Sequence, residues 1–245
     1  MATVSAPADR ISAHARPARS PFYVGLGAFM CALVLVGFWP SYFGPALRGE
    51  IARPAVIQVH GLIFVGWMAL LMAQVVLAAR GRIRAHRTVG SWGIGYGVLV
   101  FVMGLIAGVA APVIHLSAGE WTRDRAAGFL LVIFGDMVLF GSLFAAAVAY
   151  RRKPEIHKRL MVGATVALLF AAVGRMSFMP SPLVGALVWL SPMFLTMAYD
   201  WKRRGRVHPA SLIATVWLFA GAVRVAFLES EAWLRIGRGI IDSLM

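Results

Sequence analysis

Long apolar runs separated by short, mostly basic connections make up nearly the whole chain. Seven runs are long enough to cross a membrane as helices, for which about 20 mostly apolar residues are needed: 21–43, 54–79, 89–115, 127–150, 160–178, 183–198 and 209–228. The sixth is the shortest and is interrupted by Ser191-Pro192, but proline is tolerated in membrane helices where neighbours satisfy the freed carbonyl. The pattern predicts an all-α fold: a polytopic transmembrane bundle of seven spans, one domain over 21–228. Residues 1–20, rich in Ala, Ser, Pro and Arg, predict a disordered basic tail. The run that follows them ends in Trp39-Pro40-Ser41-Tyr42, not in a small-residue cleavage site, so the first helix is expected to be retained. Residues 229–245 set Trp233, Leu234, Ile236, Ile240, Ile241 and Leu244 among charges, which predicts a short amphipathic helix at the outer interface.

Composition supports the same class. Hydrophobic residues make up 60% of the chain and charged ones 14%, with a mean hydropathy of +0.77, whereas a soluble domain carries about 25% charged residues. The single cysteine, Cys31, excludes an internal disulfide or a cysteine-built metal cage, and its place in an apolar run reads as a buried, inert thiol. A net charge of +14 suggests nucleic acid until its location is considered. The cations flank the apolar runs, so they read as topology signals and as anchors for anionic lipid, and no room remains for a water-exposed nucleic-acid-binding domain. Lys and Arg number 16 on the side of the amino terminus, including Arg80–Arg87, Arg151–Arg159 and Lys202–Arg206, against 6 on the other. That asymmetry places the amino terminus in the cytoplasm and the carboxyl terminus outside.

Within the third run, Gly93/Gly97 and Gly104/Gly108 have the spacing that lets a neighbouring backbone approach closely, so this helix is expected at the centre of the bundle. The alternative is that its glycines make room for a flat cofactor. Ionisable residues at membrane depth are costly and mark candidate sites. His60, Asp136, Arg175 and Arg224, with His115 closing the third helix, all fall in the outer half. Asp136 could pair with Arg175 or Arg224 to lock helices, or the group could form an outward-facing pocket for a metal, a haem edge or a small anion. His60, Trp67 and Gln74 recur every seven residues along one face of the second helix, which is therefore expected to look inward. At the cytoplasmic boundary His86, His157 and His208 each precede the start of an odd-numbered helix, at similar depth. Three imidazoles at one level could ligate a metal ion, or two could hold a haem iron axially; as interfacial residues they could instead contact headgroups or loop carbonyls. HExxH, GxSxG and P-loop motifs are absent, which weakens metalloprotease, hydrolase and ATPase readings. No lysine in the seventh span is available for a retinal Schiff base.

The residues His60-Gly61, Trp67, Gln74, His86-Arg87 and Gly90, with Ile156-His157-Lys158-Arg159-Leu160-Met161, Arg175 and Arg206-Val207-His208-Pro209, resemble an uncharacterised family of bacterial multi-pass membrane proteins. That resemblance implies a bacterial cytoplasmic (inner) membrane protein and no particular activity. The same histidine pattern is more loosely similar to membrane cytochromes b of the ascorbate-reducible type, which hold two haems between paired histidines on neighbouring helices, one near each face. Here His60 lies roughly 9 Å deeper than His115, from the rise of ~1.5 Å per residue, so an outer pair is not level. Three functions are compatible with these residues. The first is a redox protein binding haem b or a metal through helix-end histidines. The second is a small-ligand or proton-coupled transporter using Asp136, Arg175, Arg224 and His60. The third is a non-catalytic assembly subunit with a membrane protein partner or a second copy of itself.

Overall fold

The computed structural model describes residues 21–50 and 53–245; the tail over 1–20 lies outside the described residues. Seven of its helical segments are long and apolar enough to span a membrane. The first consists of α1 (Phe22–Phe38), a π-helical turn at Trp39–Phe43 and α2 (Gly44–Leu47). Then come α3 (Ala55–Ala79), α4 (Ile83–Ser117), α5 (Arg123–Ala149), α6 (Pro154–Val173) and α7 (Pro182–Arg204). The last span joins α8 (Pro209–Ala222) to a 3-10 turn at Val223–Phe227, and α9 (Glu231–Leu244) ends the chain. Large apolar side chains such as Leu62, Leu183, Ile213 and Phe219 stand on the outside, where lipid and not water is their solvent.

The connections are tight for visible reasons. Gly49, Gly81, Gly119 and Gly205 all adopt left-handed backbone just past helix ends, where a side chain would be strained. Thr122 and Ser181 cap the α5 and α7 amino termini through their hydroxyls. The sixth span runs well beyond the 16 residues expected of it, to Arg204. Pro192 deprives the Val188 carbonyl of its helical donor, and the Ser191 hydroxyl replaces it at 2.6 Å. Proline therefore costs this helix little. The fifth span starts six residues earlier than its apolar run, at Pro154, because its first turns are charged and pair among themselves.

The central helix is α6, which corrects the expectation that the glycine-rich third span holds that place. α6 packs against α1, α5, α7 and α8, whereas α4 lies mainly between α3 and α5. Three α4 glycines serve α5: a Cβ at Gly97, Gly104 or Gly108 would collide with Phe144, Met137 or Ile133 of that helix. α6 is central because Ala164, Ala167 and Ala172 along it are fully buried and small enough to be surrounded. α4 has 35 residues, about 52 Å at ~1.5 Å per residue, well beyond a hydrocarbon core of ~30 Å. Its terminal histidines, His86 and His115, therefore sit at opposite boundaries.

The tail forms the amphipathic helix α9, and it is docked on protein. Leu234, Gly237 and Ile241 are buried, Trp233 Nε1 donates to the Ala127 carbonyl of α5 at 2.8 Å, and Arg238 meets Asp124 at 2.6 Å.

Candidate functional site

The helix ends rich in Lys and Arg gather on one side of the bundle, the basic end, around a cavity of about 640 Å³. Its walls come from α1, α3, α4, α5, α6 and α7. Deep in it the lining is apolar and aromatic: Met30, Trp67, Leu71, Ile94, Phe144 and Val148. Trp67 is held by edge contacts with Phe140 and Phe144 and by a long hydrogen bond of 3.4 Å from Nε1 to Thr165. Gly90 and Gly93, about one and two turns beyond His86 on α4, also line it, leaving a side-chain-free strip.

Two histidines line this cavity close to each other. His86 enters from the first turn of α4 and His157 from the first turn of α6. Their ring centroids are 6.5 Å apart and their planes cross at 80°. His157 Nδ1 lies 2.8 Å from the Ala147 carbonyl, one of the four carbonyls that the end of α5 leaves without a helical donor. His86 Nδ1 lies 3.3 Å from the Gln74 backbone carbonyl. A carbonyl oxygen only accepts, so the close His157 contact holds its proton on Nδ1 and leaves its Nε2 with a lone pair, whereas the longer His86 contact shares Nδ1 with the Gln74 side-chain amide.

Below the imidazoles lies an ionic floor. Arg159 and Asp200 are fully buried and form a two-pronged pair, one prong through Arg159 Nε at 2.9 Å and the other through Nη2. Arg159 Nη1 donates to the Glu155 carbonyl at 2.6 Å and to its carboxylate at 2.8 Å. Asp200 also accepts from the Ser211 hydroxyl at 2.9 Å and, more weakly, from the His208 amide at 3.4 Å. Such saturation is what makes a buried ion pair tolerable. Lys158 at 2.8 Å and Arg204 complete the ring of cations on Glu155, and Lys158 also lies over the Tyr23 ring, 5.0 Å from its centroid. The Tyr23 hydroxyl is buried beside the cavity without a hydrogen-bond partner. Lys158, Arg159, Arg203 and Arg204 against Glu155 and Asp200 leave two positive charges in excess at the mouth.

The remaining candidates are elsewhere. His208 turns to its own helix, where Nδ1 accepts from the Ala210 amide at 3.1 Å and caps α8; burial pushes its pKa below the ordinary imidazole value. His115, at the far end, meets Glu120 at 2.5 Å and stacks on Trp121. His60 packs on Phe64 with Nδ1 buried and unpartnered. Asp136 pairs with Arg224, whose guanidinium fits because residue 135 is glycine: a Cβ there would lie 2.2 Å from the arginine chain. Arg175 stands apart from that pair, donating to the Ala171 carbonyl at 2.6 Å and covering Phe38. The structure thus brings together His86 with His157 and Asp136 with Arg224. It separates His208, His115 and His60 from one another, and among the described residues no group of three or more His, Cys, Asp or Glu is placed to hold a metal ion.

Sequence reasoning treats Arg159 as one more topology charge and ends the sixth span before Asp200, so the floor of the site is missed. A signal was present. Apart from Asp9 in the tail, Glu155 and Asp200 are the only acids on the side that carries 16 cations. Comparison with known proteins finds no matching family model, no matching curated protein and no matching solved structure.

Proposed function

We propose that this integral membrane protein binds one b-type haem in the basic-end cavity, where Nε2 of His86 and Nε2 of His157 would hold it. The observation that carries the reading is the spacing of the two rings. An imidazole nitrogen binds a transition metal at about 2 Å and the ring centre lies about 1 Å further on, so two imidazoles on opposite sides of one ion have centroids about 6 Å apart. The pair here stands at 6.5 Å. The donor set supports a macrocycle over a bare ion: two histidines with no third protein donor among the described residues leave a free cation under-coordinated, while a porphyrin brings its own four nitrogens.

The cavity fits such a group in other ways. Its volume falls within the ~300–1,000 Å³ of small-molecule sites, its depth is apolar, and Gly90 and Gly93 leave a flat wall. The two excess positive charges at the mouth match two propionates. When bound, haem supplies one-electron transfer. The chain's residues hold it: His157 is oriented by the Ala147 carbonyl, Lys158 and Arg203 face the carboxylates, and Phe144 and Trp67 exclude water from the inner edge. The arginine asymmetry supports a cytoplasmic position for this end, in the bacterial inner membrane that the family resemblance implies, with the outlying cations against anionic lipid. The Asp136–Arg224 contact favours a helix lock over a transport site, because each charge already has its partner.

Purification in mild detergent after expression with ample haem precursor, followed by a reduced-minus-oxidised spectrum and a haem assay, tests the reading. One b haem per chain is expected, lost in His86→Ala and His157→Ala and kept in His60→Ala, His115→Ala and His208→Ala. Absence of b-type absorbance in the wild type ends it.

A further inference from the structure

We infer that Gln74 is a positioning residue for His86, deciding which nitrogen of that imidazole carries the proton and so how strongly the other can bind a metal. The inference rests on the haem reading and assigns a role to a residue that would not itself touch the iron.

The two histidines have unlike surroundings. His157 Nδ1 meets a backbone carbonyl, 2.8 Å away on Ala147, which can only accept, so its proton is held on Nδ1 and its Nε2 keeps its lone pair. His86 Nδ1 faces the weaker, 3.3 Å carbonyl of Gln74 and also the Gln74 side chain, which can offer either polarity. With the amide oxygen accepting from the Gly90 amide at 2.9 Å, the NH₂ group lies 3.1 Å from the His86 carbonyl and 2.5 Å from Nδ1. In that arrangement Nδ1 is an acceptor, the proton sits on Nε2, and His86 has no lone pair toward the cavity. Ligation at Nε2 moves the proton to Nδ1, and the amide must then turn so that its oxygen receives it. Gly90 does not obstruct the turn, since even a Cβ there would be only in ordinary van der Waals contact with the amide, at 3.7 Å. One ligand is therefore fixed and the other is set by an amide that two states of the site use differently. Partners of this kind, on the far nitrogen of a ligating histidine, fix its tautomer and raise its basicity.

Two substitutions read the role in opposite directions. Gln74→Glu offers only acceptors to Nδ1, strengthens the ligand and is expected to lower the haem midpoint potential. Gln74→Met removes the side-chain acceptor at similar volume. It is expected to raise the potential and weaken haem affinity about 10- to 100-fold. A tenfold shift in a one-electron couple corresponds to about 59 mV. The apo-protein supplies a readout that needs no haem. ¹⁵N chemical shifts of the histidine rings should give Nε2–H for His86 and Nδ1–H for His157 in the wild type, with His86 converted to Nδ1–H in Gln74→Glu. Both variants matching the wild type in affinity and potential, while His86→Ala loses haem, overturns the role of Gln74 and leaves the haem reading standing. A wild type without haem ends the haem reading, and the ¹⁵N spectrum then still decides the tautomer. Nδ1–H on both histidines of the wild-type apo-protein overturns the inference on its own.

Discussion

At the far end of the bundle Asp136 and Arg224 meet as a single pair between α5 and the last span, about a tenth of the arginine side chain remaining open, and α9 is docked over the start of α5. At the basic end Arg159 and Asp200 have no exposure at all, their two-pronged contact is backed by Glu155 and Ser211, and the network borders a cavity instead of a plug. The contrast separates two uses of buried charge. A lone pair holds two helices in register and leaves its arginine an exit toward headgroups. A saturated network with no exit fixes three helices, α6, α7 and α8, and holds the turn carrying His157 in place. The end with the more saturated network is the one that carries the His86–His157 pair.

The largest expected effect follows from that difference. Removing one partner of a fully buried, hydrogen-bonded pair leaves an uncompensated charge and costs about 3–5 kcal/mol. Asp200→Ala and Arg159→Ala should each lower the unfolding midpoint in detergent more than any substitution at the far end. Asp200→Asn, which keeps an acceptor for Ser211, should fall between them and the wild type. A wild-type midpoint for Asp200→Ala would erase the distinction between the two ends.

How much of this was legible in the chain differs between its levels. The seven spans were, because apolar runs and lipid impose a length that short connections cannot blur. The exact ends were not: charged first turns, as at Glu155–Arg159, look like loop until their partners are known. Proline at 192 looks like a break until Ser191 is seen to cover the freed carbonyl. His86, His157 and His208 were recognisable as one level of depth, but depth says nothing about azimuth. His208 points into its own helix start, and the other two lie with their ring centroids 6.5 Å apart. The Arg159–Asp200 pair spans 41 positions, and nothing in a one-dimensional pattern couples them.

A second prediction sharpens the comparison at the far end. Asp136→Ala should cost less, roughly 1.5–3 kcal/mol for a lost hydrogen bond to a charged group, because Arg224 can turn outward. The double variant Asp136→Ala/Arg224→Ala should regain part of that loss, a coupling that unfolding of the two singles and the double measures. Additive losses would mean the pair does not act as a lock.

The smallest effect concerns His208, which belongs to the basic end by position and behaves as a cap. Its Nδ1 accepts from Ala210, so only the neutral ring serves, and burial keeps its pKa below the ordinary value of about 6.5 in the folded chain. The unfolded chain then binds the proton more readily, so the cap contributes fully above that pH and its contribution is lost as pH falls through the depressed folded value. Asn caps a helix without titrating. The stability difference between wild type and His208→Asn should therefore be near zero at about pH 8 and should turn against the wild type by ~1 kcal/mol on the acid side. The subtraction cancels the other histidines, which titrate equally in both proteins. A difference that stays constant with pH would remove His208 from the capping role.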